Sequence, residues 1–174
     1  MAWSTLPTYV NGVLSAAMMN AIAANINESA PAKATTAGWH FVSSATNTIV
    51  ERAIVSDKIL TQQTTTNTSY VNLATVGATV TATTGAKAVI HHGCQMFSSG
   101  TGTCWSSYDV TGATTSAAND DRAITCEAAA GNSFRFGYTE LQTLTPGSNV
   151  FTQKYRVGSL TGTFDDRHLI CIAC

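Results

Sequence analysis

From about residue 58 onward the chain keeps stopping and restarting. Short runs rich in Thr, Val, Ile, Tyr and Phe are cut apart by clusters of Gly, Ser, Asn and Asp. This punctuation constrains the fold more than any other feature. A globular helix needs an uninterrupted stretch of about ten residues, whereas a strand needs about five. The runs lie at 58–64, 69–75, 78–84, 86–97, 103–110, 122–128, 133–140, 149–157 and 167–173. Three show the period-two alternation of a strand. Ala86, Ala88, Ile90, His92, Cys94 and Met96 share one face. Phe134, Phe136 and Tyr138 share another. Phe151, Gln153, Tyr155 and Val157 share a third, with Thr152, Lys154 and Arg156 pointing away. Turn residues sit between the runs, at Thr84-Gly85, Gly100-Thr101-Gly102, Gly131-Asn132 and Pro146-Gly147-Ser148-Asn149. The pattern predicts a mainly β fold, a jelly-roll-like antiparallel β-sandwich over 58–174.

Residues 1–57 read differently, as an N-terminal arm, one short α-helix and a linker. Pro7 biases Leu6 away from helix, so 1–12 are expected to be extended. Ser15 is a plausible N-cap, with Leu14 and Met19 placed as a hydrophobic staple. Met18, Ile22 and Ile26 then recur every four residues along one face of a helix over 15–27. Residues 32–47 read as irregular linker, and Thr48 to Val55 as a short strand.

Composition narrows the function. Of 174 residues only 11% are charged, against about a quarter in an ordinary soluble domain. Thr alone supplies 28 residues. Nine Lys and Arg against ten Asp and Glu leave no basic footprint for nucleic acid. The longest apolar stretch, Val13 to Ile26, is interrupted by Ser15, Asn20 and Asn25 and is too short to span a bilayer. Met1-Ala2-Trp3-Ser4 lacks a basic leader region, so no secretory signal is expected. The five cysteines, Cys94, Cys104, Cys126, Cys171 and Cys174, are then expected to be mostly free thiols, buried as small hydrophobes.

Several segments resemble tailed-bacteriophage virion proteins. Gly12-Val13-Leu14-Ser15-Ala16-Ala17-Met18-Met19-Asn20 is similar to the short N-terminal helix motif of that group, and Ala30 to Trp39 to the linker that follows it. Thr68 to Thr75 resembles the first strand of a phage appendage β-domain. Gly147 to Val157, then Gly162-Thr163-Phe164 and Arg167, resemble its closing strands. The resemblance implies a virion surface component of the head-decoration, head-fibre or minor-tail type, often trimeric, with no catalytic residues and no cofactor.

Four groups of residues invite chemistry. His91, His92 and Cys94 are metal-ligand types, but neighbours on a strand face opposite ways, and core or interface side chains are the reading adopted. Cys171 and Cys174 match a redox spacing but lie on an expected strand rather than at a helix start. Asp165-Asp166-Arg167-His168 and Asp120-Asp121 read as turn residues. Trp105 and Tyr108 could stack on a sugar, as in a lectin. No nucleophile elbow or phosphate loop occurs.

The expectation is a non-enzymatic structural protein of the virion surface, made in the host cytoplasm, without metal or cofactor. The absence of a long shaft favours a capsid decoration protein that stabilises the head over a tail appendage. Its partners would be further copies of itself, as a homotrimer, and the major capsid or tail proteins. The assembly contact is assigned to Trp3, Leu6, Tyr9, Leu14, Met18, Ile22 and Ile26. The alternatives are a tail or tail-fibre protein binding host glycan or protein, or a free-standing carbohydrate-binding module. Trp105 and Tyr108 would then be the glycan contacts.

Overall fold

A computed structural model describes residues 16–27, 34–46, 48–128 and 132–174. The chain divides into two compact units, Met1–Ala53 and Ile54–Cys174.

In the first unit, α1 spans Ala16–Asn27, matching the Met/Ile periodicity. Two strands follow, β1 (His40–Ala45) and β2 (Thr48–Arg52), paired antiparallel from His40↔Arg52 to Ala45↔Thr48. The expected linker over 32–47 therefore contains a strand. His40-Phe41-Val42-Ser43-Ser44-Ala45 has weak alternation of its own, and pairing with β2 supplies the missing order. Glu51 ties this hairpin to the segment before it, accepting the Thr35 amide at 2.7 Å and its hydroxyl. The Thr35 hydroxyl is the main cause that holds the Glu51 carboxyl below its ordinary pKa. The run 48–55 is not one strand. It breaks at Ala53, and its second part begins β3 (Ile54–Ile59), which belongs to the second unit. The compact division thus falls four residues before the boundary at 57/58 read from the sequence.

The second unit holds β3, β4 (Gln63–Thr65), β5 (Thr79–Thr84), β6 (Lys87–Ser98), β7 (Gly102–Gly112), β8 (Ile124–Ala128), β9 (Phe134–Thr143), β10 (Gly147–Val157) and β11 (Gly162–Ala173). One sheet runs β3-β11-β6-β9, with β4 also on β11; the other runs β5-β10-β7-β8. Every pairing is antiparallel. Apart from β3–β4 and β7–β8, consecutive strands alternate between sheets. That is the jelly-roll order, so the sandwich architecture stands as expected.

Inward residues of the two sheets form two apolar clusters. One gathers Val80, Ile90, Tyr108, Val110, Phe151, Leu169 and Cys171; the other gathers Met96, Cys94, Cys104, Cys126, Tyr155, Val157 and Phe164. Between them lies a polar layer, one residue from each of four strands: His92, Ser106, Gln153 and Arg167, all fully buried. Gln153 Nε2 donates to the Gly93 carbonyl at 3.1 Å. Arg167 donates to the carbonyls of Thr75 and Thr61, both at 3.1 Å. These bonds offset the cost of burying the layer and tie the strand registers to one another, while His92 Nδ1 and Arg167 Nε remain without a partner.

Several sequence expectations change here. The run 69–75 forms no strand; only Val71 bridges to Tyr155, and Leu73 is anchored in the core. Thr68 to Thr75 is therefore not the first strand of the domain. Gly100-Thr101-Gly102 joins β6 to β7 across the two sheets and is not a hairpin turn. Asp165 and Asp166 do not end a strand. They form a bulge inside β11, where the register shifts between Asp165↔Gln95 and His168↔Gly93 and Asp166 adopts φ 45°. Aspartate tolerates that left-handed conformation better than most residues. The extra residue turns Arg167 into the core and leaves His168 on the outer face.

Candidate functional site

Several residues singled out from the sequence land away from any surface site. Trp3, Leu6, Tyr9 and Leu14 lie outside the described residues, as does Ser15. Met18 and Ile22 are half-buried on α1, while Ile26 is exposed. Tyr108 is fully buried, with its ring against Phe151 and its hydroxyl bonded to Glu140 and Gln142. No face of it is open to a sugar, which corrects its assignment as a glycan contact. The reason is register: Tyr108 falls on the inner face of β7 and Trp105 on the outer. His92 and Cys94 face inward, as their alternation implied. His92 Nε2 donates to the Arg122 carbonyl at 3.0 Å, while its Nδ1 is buried without a partner. Burial is the main cause that pulls its pKa down to about 4. All five cysteines are free; four are buried and Cys174 is half-buried.

Three surface features remain. The first is a cleft of about 470 Å³ on the outer face of the β5-β10-β7-β8 sheet, lined by Tyr70, Asp109, Lys154 and Arg156 among others. Strand alternation on β10 sends Lys154 and Arg156 outward together. The Arg156 guanidinium lies 3.7 Å from the Trp105 ring centre and 5.4 Å from that of Tyr70, as cation–π contacts. Asp120 accepts from Arg156 Nη2 at 2.6 Å and from the Tyr70 hydroxyl at 2.7 Å. Arg156 and Tyr70 therefore hold the Asp120 carboxyl below its usual range. Burial, then the Asp120 bond, pushes the Tyr70 phenol upward. Lys154 pairs with Asp109 at 3.1 Å and donates to Asn72 at 2.7 Å. The cleft thus offers flat cationic and aromatic surfaces beside hydrogen-bonding groups. Asp120-Asp121, read as turn residues, open a single 3₁₀ turn over Asp120–Arg122, which carries Asp120 to this cluster.

The second feature is the open flank of the sandwich. Among the described residues β9 is an edge strand, paired with β6 alone. Its pairing places Phe134, Phe136 and Tyr138 opposite Met96, Cys94 and His92, on the inner-facing side. Yet they remain 46%, 39% and 38% exposed. The sequence alternation found this shared face, but its exposure is a property of the tertiary structure.

The third feature is a pair of imidazoles, His91 on β6 and His168 on β11, whose rings stack on the outer face of the other sheet with centres 5.3 Å apart. Nothing in the sequence joins residues so far apart; the bulge in β11 brings them together.

Fold and surface define a jelly-roll β-sandwich protein. No protein-family model matches the chain, and no curated protein matches it. Solved structures that match include infectious bursal disease virus, Gx strain, with 9% identity and a TM-score of 0.47; the match covers 76% of this chain and 36% of that one. Another is the CBM22-1–GH10 portion of xylanase 10B from Clostridium thermocellum, complexed with xylohexaose. It has 13% identity and a TM-score of 0.36, over 66% of this chain and 25% of that one. The chain thus spans about a third and a quarter of the lengths of these two structures. The jelly-roll assignment rests on the strand order itself.

Proposed function

We propose that this protein is a non-enzymatic structural component of a tailed-bacteriophage virion, a capsid decoration protein that associates as a homotrimer on the head surface. The observation that carries the reading is the apolar flank along β9. Phe134, Phe136 and Tyr138 on the inner-facing side and Leu141, 56% exposed, on the outer side lie on one edge strand whose second edge has no strand partner among the described residues. Exposed edge strands and contiguous apolar patches are liabilities that a solitary protein blunts with charge. Here only Arg135 and Glu140 interrupt the strand. A neighbouring copy that covers this flank removes the liability, and burying the remaining 46% of Phe134 or 39% of Phe136 contributes roughly 0.6–1.4 kcal/mol each. Cyclic symmetry closes such contacts at repeated sites on a particle. The resemblance of Gly12–Asn20 and Gly147–Val157 to segments of phage virion proteins supports the same reading. Binding only to the assembled lattice would stabilise the head by linkage.

Two measurements test this together. The molar mass of the purified chain by light scattering is expected to be three times 18.2 kDa, and Phe136→Asp is expected to return it to the monomer. Quantitative mass spectrometry of purified particles is expected to count copies in proportion to the major capsid protein. A monomeric wild type, or a chain absent from particles, overturns the proposal.

A second reading is favoured by the cleft beside Tyr70 and Arg156. Planar side chains next to Asp109, Lys154 and Asn72 suit a hydroxyl-rich ligand such as a host-surface glycan. Trp105, which holds Arg156 in place, keeps its candidacy in this reading. A tail location with few copies per particle, and glycan-array binding abolished by Arg156→Ala, would establish it in place of decoration.

A further inference from the structure

We propose that His91 and His168 form an open two-histidine site for a divalent transition-metal ion, of the kind that prefers imidazole ligands, on the outer face of the β3-β11-β6-β9 sheet.

The placement is built by the backbone. The β11 bulge sets His168 directly opposite Gly93 on β6, and Gly93 in turn faces Gly137 on β9. A Cβ at Gly93 would overlap the His168 ring, and one at Gly137 would lie 2.9 Å from His91 Cε1. Two adjacent strands thus carry bare backbone beneath the two imidazoles. The rings lie in this trough at 30° to each other.

The donor geometry fits an ion. The two Nε2 atoms are 3.2 Å apart. Ligand nitrogens about 2.0–2.1 Å from a common ion stand roughly 3.0 Å apart at a right angle and roughly 3.4 Å apart at the tetrahedral angle. The observed spacing lies between these limits, so the donor separation already matches that of two nitrogens sharing one ion. Their far nitrogens are also engaged. His91 Nδ1 is 2.7 Å from the Thr139 hydroxyl, and His168 Nδ1 is 3.4 Å from the Asp166 carbonyl. A carbonyl only accepts, so His168 Nδ1 carries the proton and its Nε2 presents a lone pair. Thr139 can donate or accept. Without an ion, His91 Nε2–H donates to His168. With an ion, His91 shifts its proton to Nδ1 and Thr139 accepts it, with no net proton gained or lost. Oxygen partners on the second ring nitrogen are the usual support of a metal-binding histidine.

Charge around the pair does not forbid a cation. Lys58 on β3 and Arg135 on β9 both pair with Asp166, and Asp165 sits beside it in the bulge. Two cations are thus matched by two carboxylates. Among the described residues no group of three or more His, Cys, Asp or Glu could hold a metal. Water therefore completes the shell, and the site is exchangeable rather than structural. Imidazole pairs suit Zn²⁺, Ni²⁺ and Cu²⁺ in preference to Mg²⁺ or Ca²⁺.

The test uses the full chain, with ZnCl₂ titrated by calorimetry and CuCl₂ by electron paramagnetic resonance. One ion per chain is expected, with nitrogen hyperfine structure on the copper signal. His91→Gln and His168→Gln are each expected to weaken binding at least tenfold, while His40→Gln leaves it unchanged. Circular dichroism of each variant verifies that it folds. Thr139→Val provides a milder perturbation and is expected to weaken binding several-fold. Absence of saturable binding overturns the proposal, and so does binding that survives in both folded histidine variants.

Discussion

Acid should destabilise this protein through one buried ring. His92 is fully buried, its Nε2 donates to the Arg122 carbonyl, and its Nδ1 has no partner. Protonation would place a charge on that partnerless nitrogen, and burial is the main reason its pKa falls from the ordinary 6.5 to about 4. The unfolded chain therefore binds more protons between those values. Stability is full above about pH 6.5 and declines as the pH falls toward 4. Each pKa unit is worth about 1.4 kcal/mol, so the window as a whole is worth about 3 kcal/mol, of which about 2 is lost between pH 7 and 4.5. His168 is shifted in the same direction, by burial and then by His91, Lys58 and Arg135, so its contribution must be separated. His92→Gln does this, because an amide can still donate to the Arg122 carbonyl but cannot take a proton. Urea unfolding of both proteins at pH 7.0, 6.0, 5.0 and 4.5 gives the comparison. The variant starts from lower stability at pH 7 and loses about 2 kcal/mol less on acidification. Parallel curves for the two proteins would refute the reasoning.

Three further outcomes follow from burial and contact. A thiol reagent at pH 8 is expected to label Cys174 alone in the native protein and all five cysteines in guanidinium, because burial pushes Cys104 up to about 11 and Cys171 up to about 12; fast reaction of two or more native thiols would contradict the packing. Gly77→Ala would bring a Cβ to 2.8 Å from the Gln153 carbonyl and 2.6 Å from the Tyr155 hydroxyl. It is expected to cost about 1–3 kcal/mol, measured as a lowered urea midpoint. Arg167→Ala empties the space of a fully buried side chain and removes its bonds to the carbonyls of Thr61 and Thr75, two exposed residues. A loss of about 3 kcal/mol is expected, and an unchanged melting temperature would show that water replaces the guanidinium.

Much of the sandwich was legible because alternation is a local property of an extended chain. Each residue of a strand points opposite to the last, so the apolar faces of β6 and β10 could be read without knowing their neighbours. The same holds for α1, whose four-residue spacing needs only a helix. The sites were less legible. Cys94 and His92 were read as core or interface side chains and both lie in the core, yet Tyr108 looked as available to a sugar as Trp105. Both belong to the same strand, and only its register against β10 sends Tyr108 inward.

What the sequence determined by itself is therefore most of the long strands, their faces and the helix, all consequences of local sterics and spacing; β1 and the absence of a strand over 69–75 were not legible in it. Pairing partners lay beyond it. Most consecutive strands pass to opposite sheets, and long-range burial rather than any local signal selects that order. The β11 bulge is the clearest case. Counting by twos from the buried Phe164 puts Arg167 outside, but one inserted residue reverses the count, so Arg167 enters the polar layer and His168 meets His91. Likewise, the face shared by Phe134, Phe136 and Tyr138 was evident in the sequence, while its exposure at the edge of the sheet, beyond the pairing with β6, was decided by the tertiary structure.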